Sequence, residues 1–149
     1  VAPIKVAAGD QCFRCRRYIS DERAATESID ANRFVSKFRG PGCMAKYLVN
    51  HPDEKATLYV TDYSTGKMMT PDAFFYVREI VDRKTGETDY RAYRVKTEAD
   101  AYAAQVHTTP IGWDAVLAQA VGDRRPVGVG RPELLHEDQR REHLPDAVG

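Results

Sequence analysis

The residues best suited to metal or redox chemistry in this sequence are its three cysteines. Cys12 and Cys15 are three positions apart, so that their sulfurs can bind one metal ion or bond to each other. Cys43 is the third, and thiolates are soft ligands that suit Cu(I). Two further ligands at the spacing of a structural zinc site are absent. The spacing leaves three interpretations open: a soft-metal site, a structural disulfide and a redox-active pair.

The neighbours of the cysteines favour the thiolate form. Arg14, Arg16 and Arg17 surround the first pair, and nearby cations stabilise a thiolate relative to a thiol. Cys43 lies in the first turn of a predicted helix, where the positive end of the helix dipole favours a thiolate. Met44 beside it offers a thioether ligand. The alternative for both residues is a place in the hydrophobic core, where cysteine and methionine are common.

The other residues with ligand chemistry are predicted to be structural. No two histidines have the spacing of metal ligands, and a histidine at a helix end commonly meets backbone carbonyls. The histidines are His51, His107, His136 and His143. Met68 and Met69 offer thioethers, but their position favours packing at a strand edge. The candidate metal ligands are Cys12, Cys15 and Cys43.

Several catalytic patterns are missing from the sequence. Thioredoxin-type pairs lie at the start of a helix just after a strand, whereas residues 8–11 before Cys12 show no strand pattern. The Gly128-Val129-Gly130 run lacks the strand-to-helix setting of a phosphate-binding loop. No Ser/His/Asp arrangement is identifiable. We therefore predict that the protein is not an enzyme.

The composition of the chain narrows the class of protein. Its 149 residues are 42% hydrophobic, with 22 basic and 22 acidic residues that cancel to zero net charge. Nucleic-acid binders usually carry a basic excess, so we predict no nucleic-acid partner. No apolar run approaches the roughly 20 residues that span a bilayer. The chain starts at Val1 rather than Met, which is typical of a chain whose targeting peptide has been removed. Together with the family resemblance described below, this start leads us to expect a periplasmic or otherwise extracytoplasmic location.

Hydrophobic periodicity predicts an α+β fold with a repeated plan. In the first half, strands are predicted at 24–29, 33–38 and 56–62. A helix is predicted to begin at Pro41 and to end before Pro52.

The second half shows a similar order of elements. Strands are predicted at 73–81 and 90–95, followed by a helix that a capping box at 97–100 begins. A last helix with apolar spacing from Trp113 ends at Gly122. Since strand, tight break and helix occur twice, the pattern predicts two small related strand-strand-helix lobes.

These patterns divide the chain into four segments. They are an extended lead-in at 1–11, a first lobe at 12–66, a second lobe at 67–122 and an extended polar tail at 123–149. The tail is rich in charged residues and proline, so it cannot bury enough apolar surface to order itself. We expect it to lie on another surface, and a protein partner is favoured over the two lobes.

Residues 12–25, Cys-Phe-Arg-Cys-Arg-Arg-Tyr-Ile-Ser-Asp-Glu-Arg-Ala-Ala, resemble the opening motif of the NosL family. These nitrous oxide reductase accessory proteins typically contain Cys-x-x-Cys-x-Met-x-Ile, then an Asp and an Arg-Ala-Ala stretch. The resemblance continues through 33–48, 60–66 and 99–103 to the Trp-Asp pair at 113–114. It therefore covers roughly residues 12–120, and only the opening motif is specific.

The resemblance implies a pair of α+β lobes and an extracytoplasmic protein that binds Cu(I) and delivers it to a copper enzyme. Lipoprotein anchoring is common in the family. This sequence has Arg17 where the family usually has Met, and its segment 85–93 lacks the Met and His of a family ligand segment. Only the cysteines carry over.

The sequence thus supports two hypotheses. The first is a NosL-like accessory protein that binds Cu(I) through Cys12 and Cys15, with Cys43 as a third ligand. The alternative is a metal-free NosL-like subunit with a Cys12–Cys15 disulfide, which docks in a larger membrane-associated redox complex. In both hypotheses, the 123–149 tail contacts the protein partner, which is a copper enzyme or a membrane redox complex. Any association with the membrane comes through this partner or through a lost anchor.

Overall fold

The computed structural model describes residues 2–7, 9–123 and 142–144. Strands and helices are both present, which confirms the predicted α+β class. The strands are β1 (Thr26–Asp30), β2 (Phe34–Phe38), β3 (Ala56–Thr61), β4 (Met68–Met69), β5 (Phe75–Asp82), β6 (Glu87–Tyr93) and β7 (Glu142–His143). The helices are α1 (Pro41–Asn50), α2 (Lys96–Gln105) and α3 (Trp113–Gly122). None of these helices is long and apolar enough to span a bilayer.

The strands form two antiparallel sheets. One sheet has five strands in the order β4-β3-β1-β2-β7, and the other is the β5-β6 hairpin. Strand β7 pairs with β2, and the Leu144 amide donates to the Arg33 carbonyl at 2.8 Å. This part of the predicted 123–149 tail therefore lies on the protein's own sheet, and residues 124–141 and 145–149 are outside the described residues. A contact between the tail and a partner stays a prediction.

Three predicted strand starts were misplaced by two residues or more. The strand predicted at 24–29 begins at Thr26, because Glu22–Ala24 forms a 3₁₀ turn. The carboxylate of Asp21 caps this turn by accepting from the Arg23 amide.

The strand predicted at 73–81 begins at Phe75, since Pro71–Ala73 forms a 3₁₀ turn. The strand predicted at 90–95 begins at Glu87, since the hairpin turn closes early through a bond from the Gly86 amide to the Asp82 carbonyl. Gly86 has a φ of +74°, the left-handed conformation that glycine adopts readily.

The predicted capping box at 97–100 was wrong. Helix α2 begins at Lys96, and its N-cap residue is Val95, which has no side chain to accept from the helix amides. The first turn is supported by an ion pair between Lys96 and Asp100 at 2.9 Å.

A single hydrophobic cluster joins the two predicted lobes. Helix α1 packs against α3 and β6, both of which belong to the second half of the chain. The cluster contains buried residues from both halves, among them Cys12, Phe38, Met44, Val60, Tyr76, Tyr90 and Val116. Side chains from residues 12–66 and 67–122 are therefore buried against each other, and the division into two lobes stays a prediction.

The N-terminus of α1 is built around a buried carboxylate from another strand. Asp89 of β6 accepts from the Gly42 amide at 2.7 Å and from the Tyr90 amide at 2.8 Å. Thr26 of β1 donates its hydroxyl to the Gly40 carbonyl at 3.0 Å. A Cβ atom added at Gly40 or Gly42 would lie 2.5 Å or 2.9 Å from Asp89 Oδ1. Both glycines are therefore required for the close approach of this carboxylate.

We predict that Gly42→Ala destabilises the fold by about 1–3 kcal/mol, because the new methyl group displaces a buried, hydrogen-bonded carboxylate. Urea unfolding of the two proteins measures the difference. The matched control is Gly122→Ala, since a Cβ there meets nothing within 4 Å and alanine favours the helix. Equal stability of the Gly42 variant and the wild-type protein would contradict the role of Asp89.

Candidate metal centre

The three cysteines converge on one point of the structure. The sulfur atoms of Cys12, Cys15 and Cys43 all lie within 4.8 Å of one another. Cys12 and Cys43 are buried, and Cys15 is partly exposed. All three are free thiols, so the Cys12–Cys15 disulfide of the alternative hypothesis is absent from the structure.

A tight loop brings Cys15 back towards Cys12. The Cys12 amide donates to the Arg17 carbonyl at 2.8 Å, and the Cys12 carbonyl accepts from the Arg16 amide at 2.9 Å. Arg16 has a φ of +66°, which a residue with a side chain adopts only where its surroundings enforce it. Gln11 and Tyr18 pair as an antiparallel bridge that closes the loop.

Phe13 anchors this loop to the elements that carry Cys43. Its amide donates to the Lys37 carbonyl of β2 at 2.7 Å, and its side chain is buried. The ring makes edge contacts with Phe38, at 6.1 Å between centroids, and with Tyr47 of α1, at 5.4 Å. Because aromatic edge contacts of this kind add to the burial of apolar area, Phe13 fixes the loop against α1.

The cation that acts on the cluster is Arg39. Its side chain is only 13% exposed and donates to Glu87 at 2.7 Å. After the hydrogen bonds from Cys12 and Cys43, the positive charge of Arg39 also lowers the pKa of Cys15, an effect that the sequence had assigned to neighbouring arginines. Arg17 instead pairs its side chain with Asp82 at 3.1 Å and with Glu87 at 2.8 Å. Arg14 is exposed.

The acidity of the three thiols differs. Hydrogen bonds from Cys12 and then Cys43 lower the pKa of Cys15, helped by the Arg17 amide and the charge of Arg39. The hydrogen bond to Cys15 and burial raise the pKa of Cys12. Hydrogen bonds to Cys12 and Cys15, burial and the charge of Asp89 raise the pKa of Cys43. The pKa of Cys43 is therefore raised at the start of α1, opposite to the direction expected from the helix dipole, because its thiol donates to Cys12 and Cys15.

The spacing of the sulfurs suits a shared ion. Three sulfurs that share one ion at about 2.3 Å lie about 4 Å apart in a trigonal arrangement. The three sulfurs here all lie within 4.8 Å of one another, so they need to close by less than about 1 Å to share an ion. The three thiols can therefore hold a metal ion, and their geometry does not identify which one.

The other candidate ligands occupy packing positions, and Met44 belongs to the same hydrophobic cluster as Cys12 and Cys43. Met44 is fully buried in the core, and Met68 and Met69 form the edge strand β4, which agrees with the predicted packing roles. His51 stacks on Tyr47, with ring centroids 4.1 Å apart.

The other three histidines are not part of the cysteine cluster in the described part of the chain. His136 is outside the described residues, and His143 is described only as part of strand β7. His107 ends the segment after α2 with a φ of +58° and is exposed. Within the described part of the chain, the three cysteines are the only group of three or more His, Cys, Asp or Glu residues placed to hold an ion.

Sequence patterns alone did not point to three charged residues beside the cluster. Glu87 and Asp89 are on β6, and Asp89 reaches α1 across a sequence separation of 47 residues. Among these three residues, Arg39 alone lies near a cysteine in the sequence, in the Arg-Gly-Pro-Gly break that precedes Cys43.

Comparisons of the chain with models of protein families, with curated proteins and with solved structures found no match. The NosL resemblance therefore rests on the sequence motif that begins at Cys12, and membership of that family stays a hypothesis. The convergence of the three thiols is a separate observation that does not depend on it.

We predict that a small alkylating reagent at pH 6 modifies Cys15 first. An ordinary cysteine with a pKa of about 8.5 is protonated at that pH, whereas the lowered pKa of Cys15 keeps it a reactive thiolate. Mass spectrometry of the digested protein identifies the modified residue. Cys43→Ala removes one of the hydrogen bonds to Cys15, so labelling of Cys15 in that variant should be slower. Faster labelling of Cys12 or Cys43 than of Cys15 would contradict the assignment.

Proposed function

We propose that this protein binds Cu(I) through Cys12, Cys15 and Cys43 and delivers the ion to a copper enzyme. The observation that carries the proposal is the convergence of three free thiols within 4.8 Å on elements from distant parts of the sequence. Such an arrangement requires a fixed loop and a fixed helix end, and both are held by buried contacts. The cargo follows from the donor set, and delivery to an enzyme follows from the NosL-like motif.

The donor set favours Cu(I) over Zn(II). Structural zinc sites are almost always bound by four protein ligands, whereas the described residues bring three sulfurs together. Thiolate ligands are soft and select Cu(I) among the common metal ions, together with zinc and iron–sulfur clusters. Three sulfurs with no histidine or carboxylate in the group therefore support a soft monovalent ion as the cargo.

The departures from the NosL motif are compatible with this proposal. Arg17 takes the place of a family methionine, and its charge is balanced by ion pairs with Asp82 and Glu87. The segment 85–93 lacks Met and His, but it supplies Glu87 and Asp89, which hold Arg39 and the start of α1. These residues support the cysteine cluster instead of adding ligands to it.

The mechanism that we propose is ligand exchange, and no bond of a substrate is broken. Cys15 is the partly exposed cysteine, so a thiolate of the partner meets it first. The buried Cys12 and Cys43 keep hold of the ion until the partner's ligands replace them. The protein is on this account a carrier rather than an enzyme.

The partner and the compartment are further parts of the proposal. A copper enzyme, or a membrane redox complex that contains one, is the acceptor, and the extracytoplasmic side of a membrane is the compartment. The 123–149 tail, most of which lies outside the described residues, is the segment proposed to contact that acceptor. The zero net charge of the chain supports a protein partner rather than a nucleic acid.

We predict that the reduced protein takes up one Cu(I) per chain against a competing Cu(I) chelator. Cys12→Ser and Cys43→Ser should each lower the affinity by at least about tenfold, because each removes a thiolate from the donor set. Met69→Leu is the matched control, since it removes a soft thioether from the sheet edge and should leave the affinity unchanged.

Two results would contradict the proposal. One is no stoichiometric uptake of Cu(I) by the wild-type protein, and the other is uptake that Cys12→Ser leaves unchanged. If Met69→Leu lowers the Cu(I) affinity as much as the cysteine variants do, the assignment of the site to the cysteine cluster is wrong. Circular dichroism of each variant checks that the fold is retained.

A further inference from the structure

Arg39 is a buried cation between strand β2 and the start of α1. Its side chain is 13% exposed, and its Nη2 donates to Glu87 Oε1 at 2.7 Å. Its Nε is buried and has no hydrogen-bond partner among the described residues, with the nearest Asp89 oxygen at 4.0 Å. A buried donor without an acceptor costs free energy in a folded protein. The guanidinium is therefore held through Nη2, while its buried Nε has no acceptor among the described residues.

The carboxylates near Arg39 are shared or already engaged. Glu87 binds Arg17 at 2.8 Å through its second oxygen, so its charge is divided between two guanidinium groups. Asp89 accepts from two backbone amides through Oδ1. Asp89, 4.0 Å from Arg39, also accepts from the Gly42 amide beside Cys43, so the guanidinium lies next to the first turn of α1. From this position its positive charge acts on the sulfurs of Cys43 and Cys15.

The charge of the loaded cluster depends on the ion. Three thiolates with a singly charged ion carry a net charge of −2, and the same thiolates with a divalent ion carry −1. A fixed neighbouring cation attracts the Cu(I) complex, with its charge of −2, more strongly than the Zn(II) complex, with its charge of −1. The difference is the Coulomb energy between the cation and one unit of negative charge. In a buried setting this interaction is weakly screened by salt.

We propose that Arg39 is the specificity-determining residue of the cysteine site and makes it prefer Cu(I) over Zn(II). This inference rests on the proposed function, because it names which ions the same site accepts. Arg39 acts through its charge and binds no metal. Without it, the thiolates would have less positive charge beside them, and a divalent ion would gain affinity relative to a monovalent one.

The test compares the ratio of Cu(I) affinity to Zn(II) affinity in the reduced, full-length protein and its variants. Competing chelators for each metal measure the two affinities separately. Arg39→Gln should lower the ratio by about tenfold or more, because it removes one positive charge at close range. Arg39→Lys keeps the charge and should leave the ratio close to that of the wild-type protein.

A second variant predicts a change in the opposite direction. Glu87→Gln removes the carboxylate that accepts from Arg39 at 2.7 Å, so that more of the positive charge acts on the cluster. The ratio should therefore rise above the wild-type value, even if Arg39→Gln fails to fold. The matched control is Arg78→Gln, which removes another arginine with a carboxylate partner, Asp123 at 3.7 Å, and should leave the ratio unchanged.

The outcomes separate this inference from the proposed function. No uptake of Cu(I) by the wild-type protein overturns both. Uptake of Cu(I) with an equal loss of both affinities in Arg39→Gln shows a structural role and overturns the inference alone. A fall of the ratio in Glu87→Gln, or a fall in Arg78→Gln equal to that in Arg39→Gln, also overturns it.

Discussion

The buried hydrogen bond from the Gly42 amide to the carboxylate of Asp89, 2.7 Å long, determines where helix α1 begins. An acidic side chain is favourable at a helix N-terminus, because it accepts from amides that have no partner within the helix. Here the carboxylate comes from β6, so the bond also ties the first half of the chain to the second. The glycines on either side of Pro41 leave room for it, since any Cβ at Gly40 or Gly42 would meet the carboxylate. Cys43 is placed by this bond, one residue beyond it.

The same contacts arrange the charges around the cysteines. Asp89 and Glu87 lie on one strand, and Glu87 bridges Arg39 to Arg17. The loop that carries Cys12 and Cys15 is held beside Cys43 by other contacts, because Phe13 is buried against β2 and α1. Two separate structural constraints therefore meet at the sulfurs: a capped helix and an anchored loop. Thiols that converge in this way form a preorganised site, which lowers the cost of ordering the ligands when an ion binds.

The sequence indicated the fold class and the cysteines, and it missed what surrounds them. Helix α1 was predictable because Pro41 and the apolar spacing that follows are local signals. Arg39, Glu87 and Asp89 were missed as neighbours of the cluster because their contacts join residues far apart in the chain. The start of β6 was missed since its first residues are polar, and the strand is defined by its pairing with β5. The capping box at 97–100 failed because α2 begins before it, at Lys96, which places Thr97 inside the helix instead of at its N-cap.

We propose that the sulfurs of Cys12, Cys15 and Cys43 bind one Cu(I). X-ray absorption spectroscopy at the copper edge of the loaded, full-length protein tests it most directly, because it reports the oxidation state of copper together with the number and type of neighbouring atoms. The account predicts Cu(I) with three sulfur neighbours in the wild-type protein and a loss of one sulfur neighbour in Cys43→Ser. A spectrum with nitrogen or oxygen neighbours, or one that Cys43→Ser leaves unchanged, would contradict it.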